Sequence, residues 1–245
     1  MWVQNINNIA KNRSIAALLC FLLSIVFAVS PFFVDGFAGF DPNQFPVPQD
    51  NPPVQPAGYA FAIWGVIYGW LILGLGWGLV MAREDGQWHD MRKPLAVSLA
   101  LGSGWLAIAV MSPIWASVVI WLMLITALIA LFVAPVADTP WAAWPVGLYA
   151  GWLSAASCVS LGLLAAGYGW MDETTAALVF VGLAIVLGAF IQAALGRAPT
   201  YGIAVIWALV AVVIANWDST PIVAYVAAGG AAVICLPTLQ AFRKA

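Results

Sequence analysis

The stretch LAVSLALGSGWLAIAVMSPIWASVVIWLMLITALIALF, residues 95–132, carries no charged side chain. A helix crosses a hydrocarbon core of about 30 Å with roughly 20 mostly apolar residues. The stretch is therefore long enough for two crossings. Ser112-Pro113 near its middle marks the reversal, because proline denies a helix interior one backbone donor. Comparable apolar windows lie on both sides. Together they predict eight spans, at about 14–34, 57–82, 94–112, 114–136, 144–168, 174–195, 200–216 and 222–241. Trp217-Asp218-Ser219-Thr220-Pro221 is a turn-forming sequence between the last two. Short connections make consecutive helices antiparallel neighbours. The expected fold is all-α, a polytopic transmembrane helical bundle of about eight helices.

Composition supports the same reading. The 245-residue chain is 64% hydrophobic and 7% charged, against roughly 25% charged in a soluble domain. A bilayer solvates the apolar exterior that so few charges could not clothe. With a net charge of −2 the chain has no basic footprint for nucleic acid. Cys20, Cys158 and Cys235 lie far apart in apolar runs. They are read as buried free thiols, with no disulfide framework and no metal site. Lys11 and Arg13 ahead of the first run imitate a secretory leader, but the run exceeds the usual h-region and lacks a small-residue cleavage site. A retained first helix is expected.

Threading the eight spans alternately brings Lys11, Arg13, Arg83, Arg92, Lys93, Arg197, Arg243 and Lys244 to one side. That is all eight basic residues, and the positive-inside rule makes the side cytoplasmic with both termini there. A bacterial inner membrane is the expected location. No Asp, Glu, Lys, Arg or His falls in the middle of a span, which disfavours proton- or ion-coupled transport. His89, the sole histidine, is placed in a charged cytoplasmic loop and solvated.

Asp35 to Pro56 is the one long external segment, with six prolines and no basic residue. It reads as an ordered but irregular strap. It is either a plain connector or a lid over a cavity between helix ends, for which Phe37, Phe40 and Phe45 would suit. Of 14 tryptophans, Trp2, Trp88, Trp115, Trp141, Trp144, Trp170 and Trp217 lie near span ends, as in interfacial belts. Trp64, Trp70, Trp77, Trp105, Trp121, Trp152 and Trp207 lie inside spans, where an indole N–H needs a partner.

Phe61, Trp64, Tyr68, Leu71 and Leu75 form one helical stripe, and Tyr149, Trp152, Ala156 and Ser160 another. Such stripes pack a core or line a pocket for a flat apolar ligand. Gly65/Gly69, Gly74/Gly78 and Gly147/Gly151/Ala155 are close-approach patterns, within the chain or along a homodimer seam. The sequence has no Ser-His-Asp set, no paired intramembrane carboxylates and no metal cluster, so no catalytic residues and no enzyme activity are expected.

The segment from Pro52-Pro53 through Pro56-Ala57-Gly58-Tyr59-Ala60-Phe61-Ala62-Ile63-Trp64-Gly65-Val66-Ile67-Tyr68 resembles the second helix of the TspO/MBR family. These are tryptophan-rich sensory proteins, relatives of the translocator protein or peripheral benzodiazepine receptor. Trp105 followed by Pro113 is similar to that family's third helix, and Tyr149-Ala150-Gly151-Trp152-Leu153-Ser154-Ala155-Ala156 to its fifth. The resemblance covers about residues 1–170. It departs at Leu148, where the family has proline, at Gly102 and Ser160, where it has asparagine, and at Phe61, one residue out of register.

The resemblance implies a five-helix pocket closed by the first loop and binding porphyrins, haem-like tetrapyrroles or sterols, with dimerisation. On this reading residues 1–170 form a TspO-like domain and residues 171–245 add three helices. The ligand-binding residues are Trp64, Tyr68, Phe61, Trp105, Tyr149, Trp152 and Ser160, with no metal and no obligate cofactor. Sensing, regulation or passive transport would follow. The alternative is a structural or assembly subunit of a membrane complex, its stripes packed on partner helices. The expected partners are the lipid bilayer, a hydrophobic small molecule, and a homodimer mate or membrane-complex subunit.

Overall fold

The computed structural model describes residues 2–34 and 39–244, and the side chains of residues 10–34 and 39–244. The expected belt position of Trp2 and the lid positions Asp35 and Phe37 lie outside these described side chains. Eight helices run in order: α1 (Trp2–Val29), α2 (Ile63–Met81), α3 (Gly86–Ala109), α4 (Pro113–Phe132), α5 (Ala143–Gly167), α6 (Glu173–Leu195), α7 (Thr200–Asn216) and α8 (Pro221–Phe242). The described residues contain no strand. Short 3-10 turns occupy Ser30–Phe33, Pro42–Gln44 and Gly58–Ala62.

Six of the helices are long and apolar enough to cross a membrane. The exceptions are α7, a shorter apolar helix, and α3, whose first turns carry charge. Rows such as Leu18, Leu22 and Val26 on α1, or Val118, Leu122, Ile125 and Ile129 on α4, stay exposed, which only lipid can solvate favourably. This is an integral, multi-pass membrane protein.

Caps mark the reversals. Asp85 accepts from the Trp88 N–H at the start of α3, Ser112 from Trp115 at α4, and Asp172 from Thr175 at α6. Pro113 and Pro221 occupy first-turn positions, where the missing N–H costs nothing. Gly196 ends α6 with φ +59°, the left-handed geometry that glycine adopts freely.

The helices form two rings. In the first, α1 packs on α2 and α3, α3 on α4, α4 on α5, and α5 closes on α2. In the second, α5 packs on α6 and α7, and both pack on α8. Helix α5 therefore belongs to both. Of its apolar window 83% is buried, against 22–44% in the other five spans. Small residues make this possible. A Cβ on Gly147 would strike Thr200 and one on Gly151 the Tyr201 carbonyl, so this stripe seats α7 within the chain. Gly74 likewise meets the Trp141 carbonyl, whereas Gly65 and Gly69 face open space.

The structure corrects the reading of residues 86–93. They form the first turns of α3 rather than loop, because Asp85 caps the helix there. His89 consequently sits half-buried on a helix with its Nδ1 unpartnered, not solvated in a loop. Trp88 is not interfacial. It is wholly buried, donates to Asp138 Oδ2 at 2.8 Å and fills the space that Gly78 leaves. Trp144 is half-buried beside Trp70, while Trp115, Trp141, Trp170 and Trp217 are exposed at helix ends. Cys20 and Cys158 are buried free thiols and Cys235 is only half-buried.

Two arginines add side-chain donors to the C-terminal carbonyls of α2 and α4. Arg92, buried, donates to the carbonyls of Gly78 at 2.7 Å and Ala82 at 3.2 Å, closing α2. Arg197 donates to Leu131, Phe132 and Ala134, closing α4. A cation at a helix C-terminus meets both the orphan carbonyls and the macrodipole. Burial holds the Arg197 pKa below the usual arginine value.

Candidate ligand-binding site

The segment after Gly39 is an ordered strap, pinned along its length. Asp41 and Gln44 make a capping box around the 3-10 turn Pro42–Gln44. The Gln44 amide donates to the Ala109 and Val110 carbonyls at the end of α3. The Val47 N–H donates to Gly167 of α5, the Ala57 N–H to Ala211 of α7, and the Asn216 amide to Pro53. Phe45 and Val54 are buried beneath it against Gly167 and Gly162, positions with no room for a Cβ. Phe40 reaches Trp105 edge-on at 6.5 Å. The strap covers the bundle end as a fixed roof.

Helices of the first ring line a cavity of about 310 Å³. Trp64 and Tyr68 stack at 5.3 Å, one turn apart on α2. Trp152 of α5 meets Trp64 edge-on at 6.3 Å and Phe61 at 5.9 Å. Phe61 lies in the 3-10 turn before α2 rather than on the α-helix, which accounts for its shifted register. Trp105 lines the same space, its indole N–H donated to Ala116 on α4 at 2.8 Å. Trp64, Tyr68, Phe61, Trp105 and Trp152 are thus brought together.

The other two expected site residues lie elsewhere. Tyr149 stands wholly buried behind the aromatic wall. Its hydroxyl donates to Ser98 Oγ at 2.8 Å, and Ser98 donates to the Met123 carbonyl. Ser160 faces a second cavity, with its hydroxyl donated to Ser157.

Phe27 of α1 is the residue the sequence reading missed. Its ring lies edge-on to Tyr68 at 5.0 Å, and to Trp64 and Tyr149 at 5.7 Å each. The run 14–34 is apolar on every face, so no periodicity marks Phe27. The signal was Gly102, whose missing Cβ admits the Phe27 ring. The cavity remains apolar apart from a few polar groups. Among the described residues, Trp64 Nε1, Tyr68 Oη and Trp152 Nε1 have no hydrogen-bond partner.

The second cavity, of about 80 Å³, adjoins the first and lies between the strap, α5, α6 and α7. Phe61, Trp105, Ile120, Trp152 and Ala156 line both.

A family model described as TSPO-like protein matches residues 14–239. The chain belongs to the TSPO-like family. The match takes in all or part of every helix, α6–α8 included, beyond the 1–170 over which the motif resemblance extended. No curated protein and no solved structure matches. In this TSPO-like chain, Gly102 and Phe27 together place an aromatic ring where the resemblance expects an asparagine.

Proposed function

We propose that this TSPO-like protein binds a planar, hydrophobic ligand of the tetrapyrrole or sterol class between α1 and α5, and acts in sensing, regulation or passive transport. One observation carries the reading. Six aromatic residues from α1, α2, α3, α5 and the 3-10 turn before α2 wall a cavity of about 310 Å³, and three polar groups on it lack protein partners. Ligand pockets of roughly 300–1,000 Å³ have this make-up, mostly apolar with a few groups left to orient the guest. Ring stacking contributes about 0.5–1.5 kcal/mol per pair beyond area burial.

The test is tryptophan quenching by protoporphyrin, and separately by a fluorescent sterol, with protein in detergent. Trp152→Phe and Tyr68→Ala should each weaken binding about two- to tenfold. Unchanged affinity in both, with helicity retained, favours instead an assembly subunit whose aromatics only pack.

Orientation follows from charge. Both termini, Arg92 and Arg197 fall on the cytoplasmic side of a bacterial inner membrane on this reading, since the threading collects every basic residue there. Reporter fusions after Trp170 should report an external position and fusions at the C-terminus an internal one. The reverse pattern overturns the orientation.

A further inference from the structure

We infer that the second cavity receives the hydrocarbon tail of the ligand whose ring occupies the first, so that the ligand class is a planar ring bearing a flexible aliphatic chain. The inference rests on the binding reading above and adds to it what α6 and α7 contribute. Three observations carry it.

The cavities share a partition one side chain thick, since the same five residues line both. A ligand in the first therefore needs only a rotamer change at Phe61 or Trp152 to extend into the second. Next, the second cavity suits a chain rather than a ring. It is small and walled by Ala155, Ala184 and Ala208, where three helices withdraw their side chains, and by Val181, Leu209 and Val212. A volume of about 80 Å³, at 10–15 Å³ per water-sized group, admits roughly five to eight such groups. Lastly, it offers a head group almost nothing. Apart from the shared indoles of Trp105 and Trp152, its polar side chains are Ser160, already committed to the Ser157 carbonyl, and Gln55 at the strap end. Of the unpartnered groups, that of Trp152 stands in the partition, and those of Trp64 and Tyr68 border the first cavity alone. The polar, planar part of a guest belongs there and the tail beyond the partition. The strap closes the far end, held by the Ala57–Ala211 and Asn216–Pro53 hydrogen bonds.

The experiment measures energy transfer from tryptophan to pyrene and to 1-alkylpyrenes with chains of 2 to 12 carbons. Wild type, Ala208→Leu and Ala184→Leu are compared in one detergent, where micellar partition is common to all and cancels in the ratio. Wild type should gain up to about fourfold in affinity per methylene relative to the filled variants, levelling off near eight carbons. The filled variants should bind unsubstituted pyrene as wild type does. Leu209→Ala, which enlarges the second cavity, should move the plateau to longer chains. Equal chain-length dependence in wild type and all variants overturns the tail site while leaving the ring site standing. Failure of wild type to bind pyrene itself overturns the ring site, and the tail site with it.

Discussion

The two rings that share α5 are built to opposite specifications. The first is hollow. Large rigid rings on α1, α2 and α5 meet edge-on and leave polar groups without protein partners. The second is closely packed where α7 meets α5 and α8, outside its small cavity of about 80 Å³, and its principal polar groups are paired. The Tyr201 hydroxyl donates to Ser154, and the Gln192 side chain accepts from the Gly202 N–H and donates to the Arg197 carbonyl. Glycines lie where helices touch: Gly202 against Thr238, Gly188 against Val205, Gly230 against Ile185. Both rings are apolar by composition. What separates them is side-chain size at the facing positions, because small residues let backbones close up and bulky rings hold them apart.

That contrast can be broken most forcibly in the packed ring. Gly202→Val places a side chain into Thr238 and the Gln192 amide. Overpacking of this kind costs about 1–3 kcal/mol, so thermal unfolding in detergent should begin well below wild type. Wild-type stability would show that the second ring yields.

Matched tyrosines sharpen it. Tyr201→Phe removes a buried hydrogen bond and should cost about 1 kcal/mol of stability with ring binding unchanged. Tyr68→Phe removes a hydroxyl with no protein partner. It should leave stability unaltered and reduce affinity two- to tenfold for a ligand that accepts a hydrogen bond. The opposite pattern in the pair would reverse the assignment of the two rings.

The smallest effect lies at the charged start of α3, away from both cavities. Burial, then the neighbouring charges of Lys93 and Arg13, hold the His89 pKa below its usual value. The folded chain therefore prefers neutral imidazole, while the unfolded chain binds a proton near the ordinary value of about 6.5. Stability should be unaffected above that pH and fall slightly as the pH drops through the window between ordinary and lowered values. His89→Gln should flatten the slope in an unfolding series, and an unchanged slope would acquit His89.

How far this was legible in sequence depended on range. Helix number and most boundaries follow from run length and from local signals such as Ser112-Pro113. The aromatic wall followed from the three- and four-residue spacing of Trp64, Tyr68 and Trp152. What escaped were matters of long-range packing. Arg92 and Trp88 read as loop and interface because their partners, the end of α2 and Asp138, are remote in the chain. Phe27 had no phase to read in a uniformly apolar helix. Tyr149 and Ser160 shared a stripe with Trp152, but α5 turns different faces to different neighbours. The second cavity needed α6 and α7 in place before its walls existed.

The double membership of α5 also dictates a sequence of events during synthesis. The chain emerges N-terminus first, so α5 enters the bilayer before α7 exists to cover Gly147, Gly151 and Ser154. For that interval Ser154 needs no tertiary partner, since its hydroxyl donates to the Ala150 carbonyl one turn back in the same helix. The exposed stripe consists of small residues that lipid tails can cover without stranding a polar group. When α7 arrives, Tyr201 donates to the oxygen that Ser154 still has free, and the backbones close where lipid had been. A half-made molecule is thereby kept tolerable to the membrane until its second half is translated.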